Sequence, residues 1–250
     1  MHLPAGLLLF CRIICRCIMD SMIHVVNIRR NKEIPIMKVS GRDLKLYAVT
    51  DRKWVGEQSL EEQIEEALAA GVTFLQLREK HMEKDELLEE AKRIGEIAKR
   101  HQVPFLIDDD VEMAIACGAD GVHIGQKDMP PKRARELLGE DKILGVTART
   151  LEQAKSAWEQ GADYLGVGAA FPTSTKDDTE VITKETIREI CEAVPIPVVV
   201  IGGITKEKIR ELRNCKAAGV AVVSAIFASE DITGAVKSLK KEVEENLWAD

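Results

Sequence analysis

The chain lacks the spacings that mark the common metal and redox centres. Its six cysteines include no C-x-x-C pair, so they supply neither a zinc site nor a disulfide framework. Unbridged thiols in a reducing cytoplasm are the reading that fits, and a cytoplasmic location is expected. His123 has no second histidine at metal-ligand spacing. There is no basic stretch, and 35 basic against 42 acidic side chains give a net charge of −7, which argues against a nucleic-acid binder. No G-x-G-x-x-G turn follows the first apolar run, as a doubly wound dinucleotide-binding sheet would more often show. What is present is an ordinary globular composition, 45% hydrophobic and 31% charged over 250 residues. That length suits one large α/β domain or two small ones.

Residues 1–36 do not share the pattern of the rest. They hold Arg12, Arg16, Arg29, Arg30 and Lys32 against Asp20 and Glu33. The apolar run Leu7–Phe10 precedes its basic residues, the reverse of a signal peptide, and no small-residue cleavage site follows. It is also too short, and too interrupted by Arg12 and Arg16, to span a membrane. A membrane-surface helix and a metal-binding cluster of Cys11, Cys15 and Cys17 are weighed against a disordered or non-native extension. The last is the expectation, with Met37 a plausible alternative start and 37–250 the folded catalytic domain.

After Met37, short apolar, β-branched runs recur: Leu46–Thr50, Thr73–Arg78, Pro104–Asp108, Gly121–Gly125, Ile143–Thr147, Tyr164–Gly168, Pro197–Gly202 and Val220–Ser224. Their near-continuous apolarity is that of strands covered on both faces. Amphipathic helical stretches lie between them, and Ser59-Leu60-Glu61-Glu62 and Thr150-Leu151-Glu152-Gln153 read as capping boxes. Gly71, Gly118, Gly161 and Gly219 each stand where a helix should end before a strand begins. Helix-glycine-strand repetition implies parallel strands joined by right-handed crossovers. Eight such strands predict a single-domain (β/α)8 TIM barrel, whose active site lies at the C-terminal ends of the strands.

Polar residues collect at those ends. The second run closes Gln76-Leu77-Arg78-Glu79-Lys80, and a period of two puts Gln76, Arg78 and Lys80 on one face. If that face points inward, two converging cations call for a phosphorylated ligand, an internal salt bridge to nearby aspartates being the other reading. Asp108-Asp109-Asp110 ends the third run and Asp120 precedes the fourth. Carboxylates facing such cations suit a Mg²⁺ that bridges protein and phosphate oxygens. Asp110 is read instead as the cap of the next helix, and His123 as a satisfied core histidine. The loop Phe171-Pro172-Thr173-Ser174-Thr175-Lys176-Asp177-Asp178-Thr179 offers hydroxyls and a lysine that could wrap phosphate oxygens, or is simply solvated. Gly202-Gly203 after the seventh run and Val223-Ser224 after the eighth form the phosphate cup usual in these barrels.

Tyr47-Ala48-Val49-Thr50-Asp51-Arg52, Gln76–Lys80, Asp120–Gln126, Pro172–Lys176 and Gly202–Ile204 together resemble the thiamine-phosphate synthase family, from about Lys45 to the C-terminal helix. The resemblance implies a transferase of thiamine biosynthesis. It would condense 4-amino-2-methyl-5-hydroxymethylpyrimidine diphosphate with a thiazole phosphate, or its carboxylated form, releasing pyrophosphate with Mg²⁺ as cofactor. By the same resemblance, Gln76, Arg78 and Lys80 hold the diphosphate, and Asp109 and Asp120 bind Mg²⁺. Thr147 lies beside the pyrimidine, Thr173 and Thr175 receive the thiazole, Lys176 meets the pyrophosphate, and Gly203, Val223 and Ser224 hold the thiazole phosphate. Arg78, Lys80, Thr147 and Lys176 are then the catalytic set. The family usually has asparagine at the position of Asp108 and serine at that of Thr147. The first change places a negative charge near the diphosphate. A thiazole tautomerase and a catalytically silent phosphate-binding barrel are the rival readings. Partners are small molecules, with neither nucleic acid nor membrane, and a homo-oligomer is compatible with the sequence.

Overall fold

All eight expected strands form, most of them a residue or two shorter than their apolar runs. The computed structural model describes residues 38–173 and 180–248, so the expectations for residues 1–36, Thr175 and Lys176 fall outside the described residues. The strands are β1 Leu46–Val49, β2 Phe74–Leu77, β3 Phe105–Asp108, β4 Gly121–Ile124, β5 Ile143–Ala148, β6 Tyr164–Val167, β7 Val198–Ile201 and β8 Gly219–Val222. They close in sequence order into a parallel barrel, β1 pairing with both β2 and β8.

Two apolar shells follow from the period of two. Leu46, Leu75, Ile107, Val122, Val146, Leu165, Val200 and Val220 point outward and pack with the buried faces of the helices. Tyr47, Phe74, Leu106, Ile143, Tyr164, Val199 and Ala221 fill the barrel interior. Inside, Tyr47, Phe74 and Tyr164 meet edge to face, with centroids 4.8 to 6.1 Å apart. The bulk of Tyr164 needs a glycine opposite it. A Cβ on Gly145 would lie 2.2 Å from Tyr164 Cζ.

The caps are read largely as expected. Helix Leu60–Ala70 opens with the full box: Ser59 Oγ accepts from Glu62 N at 3.3 Å and Glu62 Oε2 accepts from Ser59 N at 2.8 Å. At Thr150 only half a box forms. Its side chain accepts from Gln153 N, but Gln153 Oε1 reaches Arg149 N at 2.8 Å rather than the cap itself. Gly71, Gly118 and Gly161 have positive φ, as helix ends favour. Gly219 does not end a helix. It is the first residue of β8, where a Cβ would meet Leu44 O at 2.0 Å. The helix before it is short, Lys206–Ile209 continued by a 3-10 turn Arg210–Leu212, and the left-handed turns fall to Asn214 and Lys216.

Candidate active site

The C-terminal end of the barrel opens into a cavity of about 110 Å³. The sequence-expected residues Gln76, Arg78, Asp108, Thr147, Thr173, Gly203, Val223 and Ser224 all line it. Strand polarity accounts for this gathering: all but Thr173, which lies in the loop after β6, stand at or just beyond the C-terminal end of a strand.

The end of β2 is held from both sides by the segment after β1. Thr50, fully buried, accepts from Arg78 N at 2.9 Å, and its own amide donates to Gln76 O at 3.0 Å. Arg52 donates to Glu79 and to Glu90 of helix Lys84–Arg100, both at 2.5 Å. With Glu79 drawn outward, Arg78 and Lys80 turn to the cavity side. Burial lowers the Lys80 pKa, but Asp108 and Asp109 outweigh it and hold the ammonium above its ordinary value. Lys80 Nζ lies 2.9 Å from Asp108 Oδ2 and is also paired with Asp109. Arg78 Nε stands 3.6 Å from Asp108 Oδ2, is buried, and makes no hydrogen bond among the described residues. The internal salt bridges and the cavity-facing cations are therefore the same side chains.

Asp108 is buried at the end of β3 and accepts from Gln76 Nε2 at 2.5 Å. Asp109 follows with φ of +63°, a left-handed conformation that costs a non-glycine residue about 1 kcal/mol. It turns the carboxylate toward Lys80. Asp110 caps helix Val111–Ala116, its Oδ1 accepting from Met113 N at 2.9 Å, as expected.

Asp120 is corrected by the structure. It precedes β4, so strand polarity puts it at the N-terminal rim, where its carboxylate accepts from Phe105 N at 2.8 Å and borders a groove with Lys92 and Asp141. It cannot share a cation with Asp109 at the opposite rim. Asp128 stands in its place. The loop after β4 folds back so that Asp128 Oδ2 accepts from Gly125 N at 2.7 Å, and its carboxyl stands beside that of Asp109. Burial, then the neighbouring Asp109 carboxylate, push the Asp128 carboxyl up from its ordinary value. Two carboxylates driven together in this way could share one hard cation, which would relieve the repulsion. Among the described residues no group of three or more His, Cys, Asp or Glu could hold a metal.

His123 is satisfied, as expected, but it also lines the cavity. Its Nδ1 meets Tyr164 Oη and its Nε2 meets Thr147 Oγ1, both at 2.9 Å. Gln126 Nε2 donates to Thr147 O at 2.6 Å. Arg149, one period beyond Thr147, borders the cavity as well and was not anticipated. On the β6–β8 side the chain crosses itself closely. Phe171 N donates to Gly202 O at 3.0 Å, and Gly203, at φ +62°, leaves only 2.3 Å between a Cβ position and Pro172 O. That approach brings Thr173, Gly203 and Ser224 around one end of the cavity.

A closed parallel barrel with cations and carboxylates gathered after β2–β4 and a glycine-rich turn after β7 has the layout of an enzyme of the (β/α)8 class. Residues 46–226 match the family model for thiamine monophosphate synthase. The thiamine-phosphate synthase of Clostridium tetani is 46% identical over 197 residues, covering 79% of this chain and 94% of the relative. That of Methanobrevibacter smithii is 47% identical over 200 residues, covering 80% and 95%. The solved thiamine phosphate pyrophosphorylase from Pyrococcus furiosus superposes with a TM-score of 0.76 at 40% identity, over 82% of this chain and 98% of that one. The chain belongs to the thiamine monophosphate synthase family, whose members are transferases.

Proposed function

We propose that the cavity condenses 4-amino-2-methyl-5-hydroxymethylpyrimidine diphosphate with 4-methyl-5-(2-phosphoethyl)thiazole to thiamine phosphate and pyrophosphate, the carboxylated form of the thiazole also losing its carboxyl group as CO₂. The observation that carries this is one cavity with Gln76 and Arg78 at one end, beside the adjoining cluster of Lys80, Asp109 and Asp128, and Gly203, Val223 and Ser224 at the other. A thiazole tautomerase handles no diphosphate and would have no use for the first end.

Asp109 and Asp128 are the residues that would hold Mg²⁺. When bound, the ion would supply positive charge to offset that of the diphosphate. Arg78 and Lys80 bind the same diphosphate and offset the charge that develops as its bond to the pyrimidine methylene breaks. The aminopyrimidine ring stabilises the resulting cation, and the thiazole nitrogen attacks it. Thr147 and His123 hold the ring side of the cavity, while Thr173 and Ser224 orient the thiazole partner. Thr175 and Lys176 belong to this reading through the family resemblance alone. No protein nucleophile is needed for this step.

The match of the family model to residues 46–226 supports a catalytic unit within 37–250, and the reading takes 1–36 as a dispensable extension. A reducing cytoplasm suits the free thiols of Cys117, Cys191 and Cys215, of which Cys191 is pushed up to about 12 by burial. Among the described residues no helix is long and apolar enough to cross a membrane.

Pyrophosphate release by the purified chain, with both substrates and Mg²⁺ and with each omitted in turn, tests the reading. Release that requires all three is expected. A folded chain that binds thiazole phosphate yet releases nothing would point to the tautomerase or the silent barrel instead.

A further inference from the structure

Beneath the cavity a single chain of hydrogen bonds crosses the barrel from β3 to β5. Gln76 Nε2 donates to Asp108 Oδ1 at 2.5 Å, and Tyr47 Oη donates to Gln76 Oε1 at 2.7 Å. Tyr47 and Tyr164 hydroxyls stand 3.0 Å apart, Tyr164 Oη meets His123 Nδ1 at 2.9 Å, and His123 Nε2 meets Thr147 Oγ1 at 2.9 Å. These are the two tyrosines of the entire chain, and both are fully buried. Burial pushes both phenols above their ordinary pKa, so each carries one proton and can donate once.

Counting protons along the chain fixes its direction. A carboxylate only accepts, so the Gln76 amide must turn its NH₂ toward Asp108 and its oxygen toward Tyr47. Tyr47 spends its proton on Gln76 and must accept from Tyr164. Tyr164 then has no proton left for His123, so His123 Nδ1 must be the donor. We propose that Asp108 is a positioning residue that polarises this relay, holding His123 as the Nδ1–H tautomer so that Thr147 donates to Nε2 and turns its lone pairs to the cavity. A ligand seated against Thr147 then has to offer a hydrogen-bond donor. The relay depends on the folded barrel and not on the proposed reaction.

The substitution Asp108→Asn makes a directional test. Arg78 and Lys80 flank Oδ2, and two cations draw the amide oxygen of an asparagine to their side. Its NH₂ is then left facing Gln76, whose amide must turn over. Every later bond reverses, and His123 becomes the Nε2–H tautomer. Long-range proton–nitrogen correlation spectra of the full chain, uniformly ¹⁵N-labelled at pH 8, report the tautomer directly. His123 is assigned by the signals lost in His123→Gln.

Wild-type protein is expected to show a protonated Nδ1 and an unprotonated Nε2. A proton on Nε2, alone or on both nitrogens, would overturn the proposal. Folded Asp108→Asn should show the opposite tautomer, and an unchanged ring there is equally fatal to it. Should that variant fail to fold, Tyr47→Phe cuts the relay midway and should leave a mixture of tautomers; an undiminished Nδ1–H form would count against Asp108. Thr147→Val removes only the far end, so the Nδ1–H form should survive it. Its loss would mean that the direction is set from Thr147.

Discussion

Arg78 shows most plainly how a single residue serves this site. Its Nε is buried without a hydrogen bond among the described residues, and its nearest carboxylate, Asp108, is shared with Lys80. A guanidinium held in this way is available to a departing diphosphate. Arg78→Ala is expected to lower turnover about 100- to 1,000-fold, the range for losing one preorganised donor to developing charge. Thermal unfolding should be nearly unchanged, and steady-state pyrophosphate release measures the loss; full activity would overturn the diphosphate assignment. Gln76 and Arg78 were legible in the sequence because a strand imposes a period of two and a barrel gives its inner face one use, whereas Thr147 was reached only through the family resemblance. Asp128 was not, because it lies in a loop, where no period relates sequence to direction. The misreading of Asp120 had a physical signal against it. A residue just before a parallel strand stands at the rim opposite one just after, and that polarity outranks proximity in sequence to the β4 motif.

At the scale of elements, the strands and most helices were readable from apolar runs, caps and terminal glycines. The half-formed box at Thr150 and the misplaced Gly219 arose where short loops changed the local geometry. What no pattern showed was how the end of β2 is clamped to helix Lys84–Arg100 through Arg52, since that contact joins Arg52, Glu79 and Glu90 across three separate elements. Burial raises the Glu79 pKa, but hydrogen bonds from Arg52, His81 N and Lys80 N, with the Arg52 charge, hold it below the ordinary glutamate value. A depressed folded-state pKa contributes stability above the unfolded value of about 4.3, and that contribution fades as pH falls through the folded one. Urea unfolding of Glu79→Gln should therefore show a loss of about 1 kcal/mol at pH 7. The gap to wild type should narrow steadily below about pH 4.3 as the glutamate protonates. A gap independent of pH would mean that the clamp acts by packing and not by charge.

For the molecule as a whole, charge balance decides how the substrate can bind. The chain carries a net −7, and at the cavity Arg78 and Lys80 face Asp108 and Asp109. Arg78 and Lys80 are thus already matched by two carboxylates, and while Arg149 adds a third cation at the cavity, Asp128 adds a third acid that is itself pushed toward protonation. A diphosphate entering such a site gains little net attraction from the protein alone. A divalent cation on Asp109 and Asp128 reverses the sign of the balance at the place where the anion arrives. Pyrophosphate and Mg²⁺ should therefore stabilise the fold far more together than the sum of their separate effects. At about 100 times its dissociation constant a ligand adds about 2.7 kcal/mol, which for a domain of this size raises Tm by about 5–10 °C. Pyrophosphate alone should give a small fraction of that shift. The carboxylates make the comparison specific. Asp128→Asn should abolish the joint effect, whereas Asp120→Asn, at the opposite rim with its carboxylate on Phe105 N, should lower the starting Tm and leave the joint effect intact. If Asp120→Asn removes the synergy and Asp128→Asn keeps it, the cation sits elsewhere and the geometry of the β3 and β4 loops has been read wrongly.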